Sequence, residues 1–499
     1  MGSHFTFLDL GVLVVYFAAI MGVGLFFMFR ERSVESYTAA SRSMSGWLTG
    51  LSILGTYVSS ISFLALPGKA FAENWNPYVF SLSLFIATPI AVWFFLPYYR
   101  RSHYVSAYHH LEDRFGAWAR VYASICYLLT QLARMGTVMY LMALPLKELL
   151  GWDIYTVIVV TGVAVTAYTF MGGITAVIWT DAIQTVILIV GALACAAVMV
   201  FSLPDGPGQV FTLAAEHDKF SLGDYGPGLT TTTFWVTLIY GFFINLNNFG
   251  IDQSYVQRYI AAKSDKEARR SIWLGGLMYI PVSAIFFFIG TALFAYYTAF
   301  PEALPGDYQG NPDRVFPWFI VSALPPGITG LLIAAIFAAA MSTLSTSLNS
   351  AATIVLSDYY QRFFNREANE RQSMRFVLIT TIVFGAAGTL MALSMTQVKN
   401  ALDAWWGYAS IFSGGMLGLF LLSILARRAN ATAALVGTIV GLILILWMSL
   451  SPKMGWLGEG LQSPFHNYLV IVFGTTTILL VGFLCAQFAF GRRQTPHQP

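Results

Sequence analysis

The chain has 499 residues, of which 57% are hydrophobic, 16% aromatic and only 10% charged, whereas a soluble domain carries about 25% charged residues. The formal net charge of +3 offers no basic face for nucleic acid. The three cysteines (Cys126, Cys195, Cys485) lie in apolar runs without CxxC spacing, and the seven histidines are scattered, so neither a disulfide framework nor a thiolate or imidazole metal site is expected.

What remains is a polytopic helical protein embedded in a lipid bilayer. Apolar runs of the roughly 20 residues needed to span hydrocarbon occur at 8–29, 48–71, 76–99, 118–148, 154–170, 176–201, 231–256, 271–299, 325–357, 374–394, 402–424, 432–450 and 465–488, about thirteen in all. The run from Leu8 is too long for a cleaved signal peptide. Basic residues cluster in alternate connections: Arg30, Arg32 and Arg42; Arg100, Arg101 and Arg114; Arg258, Lys263, Lys266, Arg269 and Arg270; Arg362, Arg366, Arg371 and Arg375; Arg427 and Arg428; Arg492 and Arg493. The intervening loops hold single lysines (Lys69, Lys147, Lys219, Lys399, Lys453) or acids (Glu302, Asp307, Asp313). By the positive-inside rule the N-terminus is outside and the C-terminus in the cytoplasm, as an odd span count requires.

The second run is interrupted at Gly55-Thr56-Tyr57-Val58-Ser59-Ser60-Ile61-Ser62, five hydroxyls and a glycine at mid-span. Such a segment can unwind and offer carbonyls and helix ends to a ligand, or it can be a small-residue packing face. The fourth run carries Arg134, which at membrane depth needs an anion or several carbonyls; its planar fork matches a carboxylate. Asp181 lies about a turn inside the sixth run. It can favour a helix N-terminus or serve as counter-charge for a cation. The seventh run is interrupted at Asn245-Leu246-Asn247-Asn248-Phe249-Gly250, followed by Asp252-Gln253-Ser254. Two interrupted spans five helices apart point to an inverted repeat with the solute between its halves.

In the ninth run Ser342, Ser345, Thr346 and Asn349 fall at i, i+3, i+4 and i+7, one stripe of a helix, flanked by Thr343 and Ser347. Such hydroxyls can bond back to the preceding turn or face a cavity or an ion. Neutral hard oxygens suit a small monovalent cation, so a sodium site is the first expectation.

Three segments carry a resemblance to a known family. Gly172-Gly173-Ile174-Thr175-Ala176-Val177-Ile178-Trp179-Thr180-Asp181-Ala182-Ile183-Gln184, Asp252-Gln253-Ser254-Tyr255-Val256-Gln257-Arg258-Tyr259, and the stretch from Ala338 through Ser350 to Asp358-Tyr359-Tyr360 resemble signatures of the sodium:solute symporters. The resemblance implies an all-α fold of leucine-transporter type, with a leading span at 8–29, a five-helix repeat over 48–201, its inverted counterpart over 231–424 and two additional spans within 432–488. It implies one sodium ion held by carbonyls of Gly55, Val58 and Ala339 with the hydroxyls of Ser342 and Thr343. In the bacterial sialic acid branch a second sodium would map to Asp181, Ser342, Ser345 and Thr346.

The segment Ser59-Ser60-Ile61-Ser62-Phe63 and the later Pro67-Gly68-Lys69-Ala70-Phe71 look most like that same branch. The solute site implied comprises Thr56, Tyr57, Ser59, Ser60, Ser62, Ser81 and Arg134, with Arg134 on the substrate carboxylate. Three positions depart from the branch: Tyr57 stands for its Thr, Ser81 for its Gln and Pro77 for its Phe, all around the hydroxylated end of the ligand. The function implied is sodium-coupled import of an organic solute, an acidic sugar such as sialic acid, by a plasma-membrane symporter with no enzymatic activity. Another carboxylate or a neutral sugar is the alternative. A passive facilitator, a transporter-like sensor and proton coupling through Asp181 are the rivals.

Overall fold

A computed structural model describes the chain except residues 1–4, 31–33, 102–103, 170–172, 309, 399, 455–457 and 490–499. Of the positions singled out above, Arg32, Gly172, Lys399, Arg492 and Arg493 lie outside the described residues, as do the side chains of Arg30, Asp307 and Lys453. Among the described residues the molecule is all-helical, with a single isolated β-bridge between Met44 and Ala262.

The elements follow the apolar runs in order. α1 is Phe7–Arg30, and α2 (Gly46–Tyr57) and α3 (Ile61–Ala72) are the two halves of a segment bent by 58°. α4 is Asn76–Arg101, α5 Ala117–Leu150, α6 Ile154–Thr169 and α7 Ile174–Phe201. α8 (Phe234–Ile251) breaks at Asp252 into α9 (Gln253–Ala261), followed by α10 (Asp265–Ala299) and a short helix α11 (Pro312–Ser322). The series closes with α12 (Ile328–Phe364), α13 (Glu370–Met395), α14 (Ala401–Leu425), α15 (Ala431–Leu450) and α16 (Leu469–Ala489).

Ten of these helices are long and apolar enough to cross a membrane among the described residues, eleven with the α2–α3 pair taken as one span. α5 and α6 occupy the places of two more expected spans. The first carries Arg120, Arg134 and Lys147, and the second, at 16 residues, falls short of the length a straight span needs. Helix length and polarity therefore do not by themselves reach thirteen.

The centre of the bundle is α12, whose side chains are buried along most of its length. Its start is fixed from another helix. Gly327 sits at φ +87°, a conformation that favours glycine, and the Asp9 carboxylate of α1 accepts from the N–H groups of Gly327 and Gly330 at 2.7 Å each. A buried carboxylate thus satisfies orphan donors at the positive end of the helix. Asparagines cap α13, α14 and α15 through Asn369, Asn400 and Asn430, each accepting an N–H of the first turn. At the far end of α12, Asp358 is held by the Arg120 guanidinium at 2.5 Å and the Ser106 hydroxyl at 3.0 Å.

Candidate functional site

The α2–α3 break follows from its hydroxyl-rich sequence, because Ser side chains offer the backbone partners other than a helical ladder. Val58 turns extended at φ −79°, ψ 108°, and the Ser59 hydroxyl accepts the Ile61 N–H at 3.2 Å. A helix that stops leaves its last carbonyls without intrahelical donors. Here two of them are met by the side chains singled out in the sequence. The Ser342 hydroxyl of α12 donates to the Gly55 carbonyl at 2.9 Å, and the Arg134 guanidinium of α5 donates to the Thr56 carbonyl.

Around the Gly55 carbonyl the structure brings together four of the five residues expected at the first sodium site. Ser342 also reaches the Ala339 carbonyl at 3.2 Å, and the Thr343 hydroxyl donates to that same carbonyl at 3.1 Å. Val58 lies at the break itself, buried, its N–H given to the Leu54 carbonyl at 2.8 Å. The donor set is neutral oxygen throughout, which suits an alkali cation. Gly55 permits the close approach of α2 to α7: a Cβ there would meet the Thr185 hydroxyl and lie 3.1 Å from the Asp181 carbonyl.

The second expected site is organised around an ion pair. Asp181 is fully buried, and its Oδ2 accepts from the Arg258 guanidinium and from the Ser52 hydroxyl, both at 2.7 Å. Arg258 also donates to Ser52 Oγ at 2.7 Å, to Thr346 Oγ1 at 2.7 Å and to the Ser254 carbonyl at 2.5 Å. Asp181 is thus the counter-charge of a cation, and the cation is the protein's own. Arg258, counted from sequence among the loop cations after the seventh run, is instead wholly buried. The other carboxylate oxygen, Oδ1, is buried without a hydrogen-bond partner. Ser345 turns its hydroxyl back to the Ser342 carbonyl at 3.2 Å.

A cavity opens beside the break. Tyr57, Ser59, Ser62, Ser81 and Arg134 line it. Thr56 and Ser60 belong elsewhere: the Thr56 hydroxyl lies 3.4 Å from Thr346 Oγ1, at the second site, and the Ser60 hydroxyl donates to the Val138 carbonyl of α5 at 2.9 Å. Tyr57 is tied down by its hydroxyl to Asn245 and packs edge-on against Tyr279 with ring centroids 4.2 Å apart. The Ser62 hydroxyl lies 3.3 Å from the Tyr279 hydroxyl, and Ser81 accepts from Ser283 at 2.9 Å.

Residues missed from sequence as parts of this cavity include Gln131, Asp252, Tyr255, Tyr279 and Trp406. Asp252 caps α9 by accepting the Ser254 N–H at 2.8 Å, and Gln131 donates to it at 3.3 Å. Gln131 accepts in turn from Ser347 of α12 at 2.7 Å. Gln131 lies three residues before Arg134 on α5, a spacing that places both on one helix face; that was the available signal. Tyr279 and Trp406 come from distant helices and carried none.

The sodium:solute symporter family model matches residues 37–441. The chain is 35% identical over 477 residues to the sodium/sialic acid symporter NanT of Aliivibrio fischeri, covering 95% of this chain and 92% of that protein. It is 34% identical over 476 residues to the sodium/sialic acid symporter SiaT of Proteus mirabilis, with 95% of each covered. A solved structure described as the substrate-bound outward-open state of a Na+-coupled sialic acid symporter superposes with a TM-score of 0.88 at 33% identity, over 97% of this chain and 98% of that one.

Proposed function

Because this chain belongs to the sodium:solute symporter family, a family of transporters and not of enzymes, we propose that it imports an acidic sugar of the sialic acid type together with two sodium ions, by alternating access. What carries the reading is the pair of adjacent carbonyls at the α2 break. The Gly55 carbonyl meets Ser342 at the first expected ion site, while the Thr56 carbonyl meets Arg134, which lines the cavity. The ion and solute sites are thus joined through two consecutive peptide units.

In this scheme Gly55, Val58, Ala339, Ser342 and Thr343 hold the first sodium and Asp181, Ser342, Ser345 and Thr346 the second. The remaining donors of Arg134 take the substrate carboxylate, with Tyr57, Ser59, Ser62 and Ser81 around the rest of the sugar. Sodium drives the cycle only through its different affinity for the outward and inward states. An anion with one sodium moves no net charge; with two, each cycle gains about 2.3 kcal/mol per 100 mV.

The same reading makes residues 48–201 and 231–424 two inverted five-helix halves, each opening on a broken segment, with 8–29 leading and two spans within 432–488 following. It counts α5 and α6 as spans, thirteen in all, with the N-terminus outside and the C-terminus in the cytoplasm. The basic loops that retain solvent-facing arginines, among them Arg269, Arg270, Arg371 and Arg428, support that orientation without Arg258.

A second reading, a smaller organic carboxylate, is favoured by the ring of Tyr57, which fills space beside Tyr279 in the cavity. Uptake of labelled N-acetylneuraminate into proteoliposomes tests both. Sodium-dependent uptake that rises with inside-negative potential supports the first reading. Sodium-driven uptake of small carboxylates without N-acetylneuraminate supports the second, and sodium-independent flux would overturn coupling altogether.

A further inference from the structure

Arg258 stands between the ligands assigned above to the second sodium. One of its nitrogens donates at 2.7 Å both to Asp181 Oδ2 and to Thr346 Oγ1, two of the four proposed ligands. The pair is wholly buried, and a buried carboxylate with its guanidinium is already neutral. A sodium ion arriving at the unpartnered Asp181 Oδ1 would place two positive charges on one carboxylate in a medium that screens them weakly.

We infer that Arg258 is a tethered cation that competes with the second sodium for Asp181 and Thr346, so that the ion binds by displacing the guanidinium. The inference rests on the proposed second site. Its consequence runs through α9, which carries Arg258 near its end and is capped by Asp252 at its start. Asp252 lines the solute cavity with Arg134 and receives Gln131, and the Ser254 carbonyl holds Arg258 at 2.5 Å. Releasing Arg258 therefore frees a helix whose other end forms part of the solute site. Arg258 is a positioning residue here: it touches neither solute nor ion, and acts through the ligands it surrenders.

The test is sodium titration of the purified full-length protein at constant ionic strength, with N-methylglucamine as the replacing cation, read by labelled sodium binding. Arg258→Gln removes the competing charge and keeps a side chain that can hydrogen-bond. The sodium concentration giving half-occupancy should fall at least tenfold in that variant, while Arg258→Lys, which keeps the charge, stays within threefold of the unaltered protein. The gain should vanish in Asp181→Asn combined with Arg258→Gln.

Unchanged or weaker sodium binding in Arg258→Gln overturns the exchange. Should that variant not fold, Ser52→Ala gives the answer instead. It removes one anchor of the guanidinium, leaves all four proposed ligands, and should lower half-occupancy two- to fivefold; no change there overturns the exchange equally. The underlying site is tested separately: if Asp181→Asn alone leaves sodium stoichiometry intact, the second-site reading fails, whereas a lost ion in Asp181→Asn without tightening in Arg258→Gln leaves the site standing and removes the exchange.

Discussion

Arg134 gives the sharpest test of the solute site. Its guanidinium is almost wholly buried and carries five N–H donors, one of which goes to the Thr56 carbonyl, with the Tyr255 hydroxyl also within reach. A carboxylate bound by the others would be a desolvated, charge-assisted pair, and truncating one partner of such a pair costs about 2–5 kcal/mol. At about 1.4 kcal/mol per tenfold in affinity, Arg134→Gln should weaken the acidic sugar by roughly 30- to several-thousandfold. Gln retains a donor for the Thr56 carbonyl, which otherwise would be left unmet at about 1–3 kcal/mol of folding stability. Arg134→Lys keeps the charge but loses the planar fork and should fall between the two. Calorimetric titration with the sugar at saturating sodium reads the affinity, and a thermal melt of each variant checks the fold. Loss of less than about threefold in a folded Arg134→Gln protein would refute the assignment and leave Arg134 as a structural partner of the broken helix.

Three other outcomes are expected. Ser342→Ala should raise the sodium concentration for half-maximal uptake about tenfold or more and lower its cooperativity, because Ser342 is proposed to serve both ions; Thr343→Ala should affect one ion only, and equal sodium curves for the two variants would refute that division. Close in sequence to the cavity-lining Leu66, Lys69 bridges Glu73 at 2.7 Å and Asp403, the neighbour of the cavity-lining Leu402, at 3.0 Å. Both carboxylates are half-exposed, so the bridge contributes only about 0–1 kcal/mol, and Asp403→Asn should speed thiol labelling of a cysteine placed at Ser81 by no more than about fivefold. Burial pushes the Asp313 carboxyl up to about 6 from 3.8, with Asp403 adding and the Ala401 N–H and Lys69 opposing. The native state therefore holds this proton more tightly than the unfolded chain. The stabilisation is complete below about pH 4 and is lost as pH rises through about 6, a change of about 3 kcal/mol. Melting temperature should drop between pH 5 and 7.5 in the unaltered protein and much less in Asp313→Asn; parallel profiles would refute the role.

Periodicity and composition by themselves determined a great deal here. Hydrocarbon offers the backbone no partner, so long apolar runs had to be helices, and the observed helices α7, α13, α14 and α15 begin and end within a few residues of the expected runs. The same absence of water made the two hydroxyl- and amide-rich interruptions conspicuous; the chain breaks inside the first, at Val58, and just past the second, at Asp252, with Asn245 to Gly250 still helical in α8. The stripe of Ser342, Ser345 and Thr346 was legible because it obeys the 3.6-residue period.

Only the tertiary structure decided which polar groups face one another. Arg258 looks in sequence like one more basic residue beside a loop, and its charge says nothing of whether Asp181, 77 residues earlier, is within reach. The cavity wall is likewise assembled from α2, α3, α4, α5, α8, α9, α10 and α14, so Tyr279 and Trp406 had no local pattern to betray them. Thr56 and Ser60 show the limit from the other side. Once the helix stops, the direction of each side chain depends on how the chain turns between two halves bent by 58°, both packed chiefly against α10 with α7 beside the first, an arrangement that no local spacing records.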